Sequence, residues 1–238
     1  MQFSTINESS LHKTLKTMFA ERYNGETEIE QDGHIFDILT NEKQVIEIQT
    51  KNLANLLAKL SDTLNKGYKV NLVHPIETVK IIETYDNLGK LLSKRKSPKK
   101  GRLYSLLKEL TGIYPILLNE NLTLTVLETS ITEERVKTNE PIQLKNNRRR
   151  FRKDWIKKNK RLNEIISEKE YKNADDYLNL LPVQLPKEFC AKDIKTAYMA
   201  ANQKEDSATA NLLLWILNHM ELIEFTEIKN RSKYYKIK

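Results

Sequence analysis

Asp37, Glu47, Gln49 and Lys51 stand within fifteen residues of one another and are the part of this chain where spacing alone suggests chemistry. His34 to Lys51 reads as two short strands, Ile35–Leu39 and Gln44–Lys51, joined by a tight turn at Thr40–Lys43. Alternate side chains of a strand share a face, so Glu47, Gln49 and Lys51 are expected to point together, with Ile46 and Ile48 packing on the other side. If the turn is three residues long, Asp37 lies opposite Glu47. One face would then gather two carboxylates, an amide oxygen and an ammonium. That set can hold a divalent metal against a phosphodiester and keep a lysine beside the developing charge. The competing reading is a hairpin with solvated cross-strand charge pairs.

The elements needed to position this hairpin are also readable. Residues 8–21 have the spacing of a helix through Leu11, Leu15, Met18 and Phe19, with Asn7 as its cap. Thr27–Gln31 reads as a short strand, with Asp32-Gly33 turning into the hairpin. The acids Glu28 and Glu30 read as solvated. After Lys51, Leu53, Leu56, Leu57, Leu60 and Leu64 form the stripe of a second helix closed by Gly67. Tyr68–His74 is a strand ended by Pro75, parallel to the hairpin strand because a helix separates them. Val79–Tyr85, with Lys90–Ser93 returning beside it, and Leu122–Leu127 add further strands, and a helix starts near Arg102.

Asp37 followed by Glu47-x-Gln49-x-Lys51, behind a helix carrying Glu8, resembles the active-site hairpin of the PD-(D/E)XK nuclease superfamily, especially its Holliday-junction-resolvase-like and Mrr-like branches. Asp37 has no preceding proline, and the motif fits in two ways. Either Glu47 is the ligand with Gln49 in the lysine slot, or Gln49 and Lys51 form a Gln-x-Lys variant with Glu47 one pleat away; we favour the second. The resemblance implies a restriction-endonuclease-like mixed sheet flanked by helices, with Glu8, Asp37, Glu47, Gln49 and Lys51 as catalytic residues. Asp37, Glu47 and Gln49 would bind Mg²⁺ or Mn²⁺. It further implies cleavage of DNA, extending to branched or distorted forms, by a homodimer. A non-catalytic DNA-binding or regulatory protein on the same scaffold is the alternative.

Charge supports a nucleic-acid partner. The net charge is +8, and two short segments hold the entire excess. Lys94, Arg95, Lys96, Lys99, Lys100 and Arg102 are six cations in nine residues; Leu144–Leu162 carries a net +9. Concentrated charge suits a polyanion with a fixed path. In the second segment Arg148, Arg149, Arg150, Arg152 and Lys153 are interleaved with Phe151 and Trp155, which could stack on a base or simply pack.

From residue 162 the spacing predicts helices, beginning with one through Leu162, Ile165 and Ile166. The last 50 to 60 residues or so, ending in a hairpin around Lys229-Asn230-Arg231, resemble a winged helix. Its helix from Ala208 to His219 has no Lys or Arg, so it reads as buried or dimer-forming. Lys229, Arg231 and Lys233 on the wing would hold the backbone. The expected organisation is a nuclease-like domain over 1–140, a basic linker over 141–161 and an α+β winged-helix domain over 162–238.

The single cysteine, Cys190, excludes an internal disulfide and a multi-cysteine zinc site, and the four histidines lack ligand spacing. No apolar run reaches membrane length, so a cytoplasmic protein is the expectation. The whole chain also looks similar to a group of uncharacterised bacterial proteins, through Asn7-Glu8-x-x-Leu11-His12, Glu47–Lys51 and Lys96–Gly101. That resemblance implies the architecture and no activity.

Overall fold

A computed structural model describes residues 9–143, 152–203 and 205–238. The first helix, α1 (Ser10–Tyr23), is capped by Ser9, whose hydroxyl accepts from the His12 N–H, in place of the expected Asn7. Strand β1 (Glu26–Gln31) turns through Asp32-Gly33, both at positive φ, into β2 (His34–Leu39). The next turn is three residues long: Thr40 N–H donates to Gln44 O, and β3 (Gln44–Ile48) follows. A 3₁₀ turn (Leu53–Leu56) leads into α2 (Leu57–Asn65), and Gly67, at φ +79°, releases the chain into β4 (Lys69–Tyr85). The chain continues through β5 (Leu91–Lys96), α3 (Leu103–Leu110), β6 (Leu122–Gln143) and β7 (Arg152–Tyr171). It closes with α4 (Ala174–Leu178), α5 (Ala191–Ala200), α6 (Ser207–His219), β8 (Ile223–Lys229) and β9 (Ser232–Ile237).

The result is an α/β fold with a mixed seven-stranded sheet in the order β1-β2-β3-β4-β6-β7, β5 pairing with β4. Strands β3, β4 and β6 run parallel, as the intervening helices require; the other pairs are antiparallel. Helix α1 buries Leu11, Leu15 and Phe19 against Ile38, Ile46, Ile48, Val73 and Leu127 on one face. On the other, Leu60 and Leu64 of α2 and Leu106, Leu107 and Leu110 of α3 cover Val45, Val70, Leu72 and Leu124. This second core continues into Ile194 and Tyr198 of α5 and Leu213, Leu214 and Leu217 of α6.

Four expectations are corrected. Pro75 does not end a strand: β4 continues to Tyr85, because Pro75 pairs with Leu127 of β6 while its other edge lies beyond the last β3 partner, Val73. The one ladder bond its missing N–H forgoes, to Gln49 O at the end of β3, is replaced by a side-chain donor. Trp155 and Lys153 lie in β7, so the described residues of the segment expected as a linker, 141–143 and 152–161, are strand. Leu162, Ile165 and Ile166 also belong to β7, where pairing with Ser130–Thr132 and neighbouring residues of β6 overrides a short helical spacing. Strand β6 likewise extends from the expected Leu127 to Gln143.

The small β8–β9 sheet is the terminal hairpin read from sequence, turning at Asn230 and Arg231, both at positive φ. Among the described residues no helix is long and apolar enough to cross a membrane.

Candidate active site

Strand pairing places Ile38 opposite Ile46 and Leu39 opposite Val45, and continuing that register sets Asp37 opposite Glu47. The expected single face of polar groups does not form, because the ladder opens at this point. Phe36 joins the α2–α3 core, whereas Ile38 joins the α1 core, so the chain changes faces at Asp37. Side chains fill the opening. The Ile48 N–H donates to Asp37 Oδ2 at 2.9 Å, and the Asp37 N–H donates to Glu47 Oε1 at 3.3 Å. Each carboxylate thus satisfies an N–H of the opposite strand that would otherwise be orphaned.

The two acids are held by opposite helix layers. Asp37 faces α1, with His12 Nε2 3.4 Å from Oδ2. Burial alone would raise its pKa, but the His12 contact, the Ile48 N–H and the positive charge of Lys16 hold it below the usual carboxylate range. Lys16 is itself buried on α1, 8% exposed, and reaches Glu28 Oε1 at 2.8 Å. Glu28 sits in β1 at φ +58°, so this acid partners a site cation instead of only facing solvent.

Glu47 faces α2 and is 3% exposed. Lys59 Nζ lies 2.6 Å from its Oε1 and also donates to Ile35 O at 2.5 Å. Burial, followed by the charge on Asp37, pushes the Glu47 pKa up to about 7, against the opposing pull of Lys59. The cation of the site is therefore Lys59 and not Lys51. Strand β3 ends at Ile48, and Lys51 is exposed in the following bend. Gln49 also lies past the strand, its Nε2 donating to Asn52 O at 3.4 Å. Its backbone oxygen accepts from His74 Nδ1 at 2.6 Å. A carbonyl can only accept, so His74 carries its proton on Nδ1, and burial lowers its pKa and keeps the ring neutral. The imidazole supplies the donor that Pro75 lacks.

Asp37 Oδ1, Glu47 Oε2 and Gln49 Oε1 accept no hydrogen bond from the described residues. Mg²⁺ keeps several waters and is commonly held by one or two carboxylates plus substrate phosphate, so this donor set fits it. Among the described residues no group of three or more His, Cys, Asp or Glu side chains is arranged for a metal. Glu8 lies outside the described residues.

The DNA-contact candidates divide. Arg95, Lys96, Lys99 and Lys100 are exposed and make no ion pair with the described residues; Lys94 pairs with Glu83 at 3.0 Å, and Arg102 caps α3. Arg148, Arg149 and Arg150 lie outside the described residues, and of Arg152 only the backbone pairing with Gln143 is described. Lys153 sits over the Trp155 ring at 4.3 Å and Arg135 over the same ring at 3.5 Å, so Trp155 packs against protein cations. Lys160 pairs with Glu77, and Arg161 with Glu134 and Glu83, so these two cations of the second basic segment are neutralised by acids of β4 and β6. On the β8–β9 hairpin Lys229 pairs with Glu227 and Glu188, whereas Arg231 and Lys233 are exposed.

Sequence reasoning missed His12, Lys16 and Lys59. The first two are polar residues four apart beside Leu11 and Leu15, and Lys59 directly precedes Leu60 in the α2 stripe.

A model described as Domain of unknown function (DUF8091) matches residues 9–172, from the start of α1 through the end of β7, and the chain belongs to that family. An uncharacterized protein of Treponema pallidum (strain Nichols) is 30% identical over 194 residues, 82% of this chain and 74% of that protein. No solved structure gives a significant match.

Proposed function

We propose that the chain is a metal-dependent DNA nuclease acting at the gap between Asp37 and Glu47. The observation that carries this reading is the ladder opening itself: two facing carboxylates, each with one oxygen left open, beside the ammonium of Lys59. The order of elements supports a PD-(D/E)XK-like core. Helix α1 precedes the antiparallel β1-β2-β3 unit, and α2 connects β3 to the parallel β4.

Asp37 Oδ1 and Glu47 Oε2 would hold Mg²⁺ or Mn²⁺, with Gln49 Oε1 as a neutral donor. When bound, the metal supplies Lewis-acid stabilisation and a more acidic water. His12 and the Ile48 N–H fix the Asp37 carboxylate in one orientation and keep it ionised. Lys59 places a positive charge where the attacked phosphate gains negative charge.

The C-terminal part supports a winged-helix reading. After α4, Phe189 bridges to Tyr235 of β9, and α5, α6 and the β8–β9 hairpin follow. Helix α6, at the recognition position, buries Leu213, Leu214 and Leu217 in the core shared with α3. It serves this reading as a structural helix, leaving Arg231 and Lys233 on the wing for phosphates.

A second reading, a non-catalytic DNA-binding protein on the same scaffold, is favoured by one observation: Lys59 closes directly on Glu47, and Gln49 turns its amide nitrogen to Asn52. The test uses supercoiled plasmid and four-way junctions with Mg²⁺, Mn²⁺ or EDTA. Metal-dependent cutting abolished by Asp37→Ala supports the nuclease. Intact substrates with undiminished binding favour the second reading, and a preference for the junction over linear duplex would support a resolvase-like specificity.

A further inference from the structure

The basic segment Lys94–Arg102 is attached to the sheet in a way that gives it a fixed position relative to the carboxylates. Strand β4 has two edges. One carries β6 along its length; the other carries β3, whose pairing ends at Ile48 opposite Val73. Beyond that point the β3 edge is taken up by the basic segment. The Gly101 N–H donates to Glu77 O at 2.7 Å, the Ser97 N–H donates to Lys80 O at 2.8 Å, and Lys96, Arg95 and Lys94 pair with Ile81, Ile82 and Glu83. Ser97 is buried in this seat, while Arg95, Lys96, Lys99 and Lys100 remain exposed.

Glycine is needed to make the seat. A Cβ at Gly101 would stand 2.5 Å from Ile76 Cγ2, 3.0 Å from Glu77 O and 3.2 Å from Glu77 C. Two of these three atoms are backbone, so no side-chain rotation relieves the clash. From Gly101 the chain passes directly into α3, in the layer that Glu47 faces.

We propose that this seated segment is a one-sided phosphate track for duplex DNA, in line with the Asp37–Glu47 gap; the proposal rests on the DNA reading above. The spacing follows from strand geometry. From Val73, opposite Ile48 at the end of β3, Glu77 lies roughly 13 Å away and Glu83, opposite Lys94, roughly 33 Å away at about 3.3 Å per residue. With roughly 3.4 Å per base pair, the gripped phosphates lie about four to ten base pairs to one side of the phosphate at the gap. The acids along the track, Glu77 and Glu83, are neutralised by Lys80, Lys160, Lys94 and Arg161, so they do not oppose a polyanion.

The experiment uses the full chain, a 40-base-pair duplex and binding readouts that require no cleavage, so that a failure of catalysis and a failure of the track are distinguishable. The triple variant Lys96→Ala/Lys99→Ala/Lys100→Ala is expected to lose about tenfold or more in affinity, with a salt dependence shallower by about three charges. Gly101→Val keeps every charge and is expected to weaken binding several-fold by unseating the segment; thermal unfolding monitors its fold. An iron chelate tethered at Lys51→Cys marks the gap on DNA, Cys190 being buried. Hydroxyl-radical protection should then lie about four to ten base pairs to one side of the chelate cuts and vanish in the triple variant. Protection centred symmetrically on those cuts, or unchanged in the triple variant, would overturn the track. Wild-type binding by a folded Gly101→Val protein would overturn the need for its seat.

Discussion

A buried glutamate paired with one lysine sets the behaviour of the site. Glu47 is 3% exposed, and Lys59 is its ion-pair partner at 2.6 Å. Replacing Lys59 by Met strands a buried carboxylate and should cost about 3–5 kcal/mol in urea denaturation at pH 8, whereas Lys59→Met with Glu47→Gln should recover most of it. The pH dependence has a definite sign. The Glu47 pKa is raised to about 7 in the folded chain, so between about pH 4.5 and 7 the native state holds a proton that the unfolded state releases. Its contribution to stability is full below that window and declines as pH rises through about 7. Metal-free wild type should therefore lose on the order of 1–3 kcal/mol relative to Glu47→Gln between pH 5 and pH 8. Equal slopes in the two proteins would contradict the assignment. The sequence located Asp37 and Glu47 by their strand spacing. It did not locate Lys59, because a lysine beside a leucine stripe looks the same whether its head reaches inward or stays in solvent.

The end of β3 is built by exchange of hydrogen-bond partners between elements. Pro75 cannot donate to Gln49 O, and the neutral His74 ring does so instead. His74→Phe should therefore cost about 1–2 kcal/mol, through a partly buried carbonyl left unpaired, and should speed amide hydrogen exchange at Gln49–Asn52. Exchange unchanged from wild type would refute this role. Strand type and order at the hairpin were readable because alternation and the Asp32-Gly33 and Asn41–Lys43 turns agree. The length of β4, β6 and β7 was not. Pro75, the charged run at Lys157–Arg161 and the Leu162–Ile166 spacing each argue locally against a strand. They are overridden by pairing of β4 with β6 and of β6 with β7, and by ion pairs from Lys160 and Arg161 to β4.

Across the molecule, one apolar core runs from the sheet through α2 and α3 to α5 and α6. The chain should unfold as one cooperative unit. The two tryptophans, Trp155 in β7 and Trp215 in α6, can report the two halves separately in Trp→Phe single variants. Coincident fluorescence midpoints are expected; two midpoints would show that α5 and α6 melt independently. The basic and helical halves suggested separate modules in the sequence because charge and periodicity are local signals. The joining of α6 to α3 is a tertiary contact that neither signal carries. At every scale the proposal is the same, that the sheet opened at Asp37 and Glu47 cuts DNA with Lys59 as its cation. The measurement that tests it most directly is the Mg²⁺-dependent cleavage rate of a fixed DNA substrate by wild type, Lys59→Ala and Lys51→Ala. A loss of about 10²–10³-fold is expected for Lys59→Ala and of less than about threefold for Lys51→Ala. The reverse order, or a wild type that binds the substrate and leaves it intact with both Mg²⁺ and Mn²⁺, would contradict it.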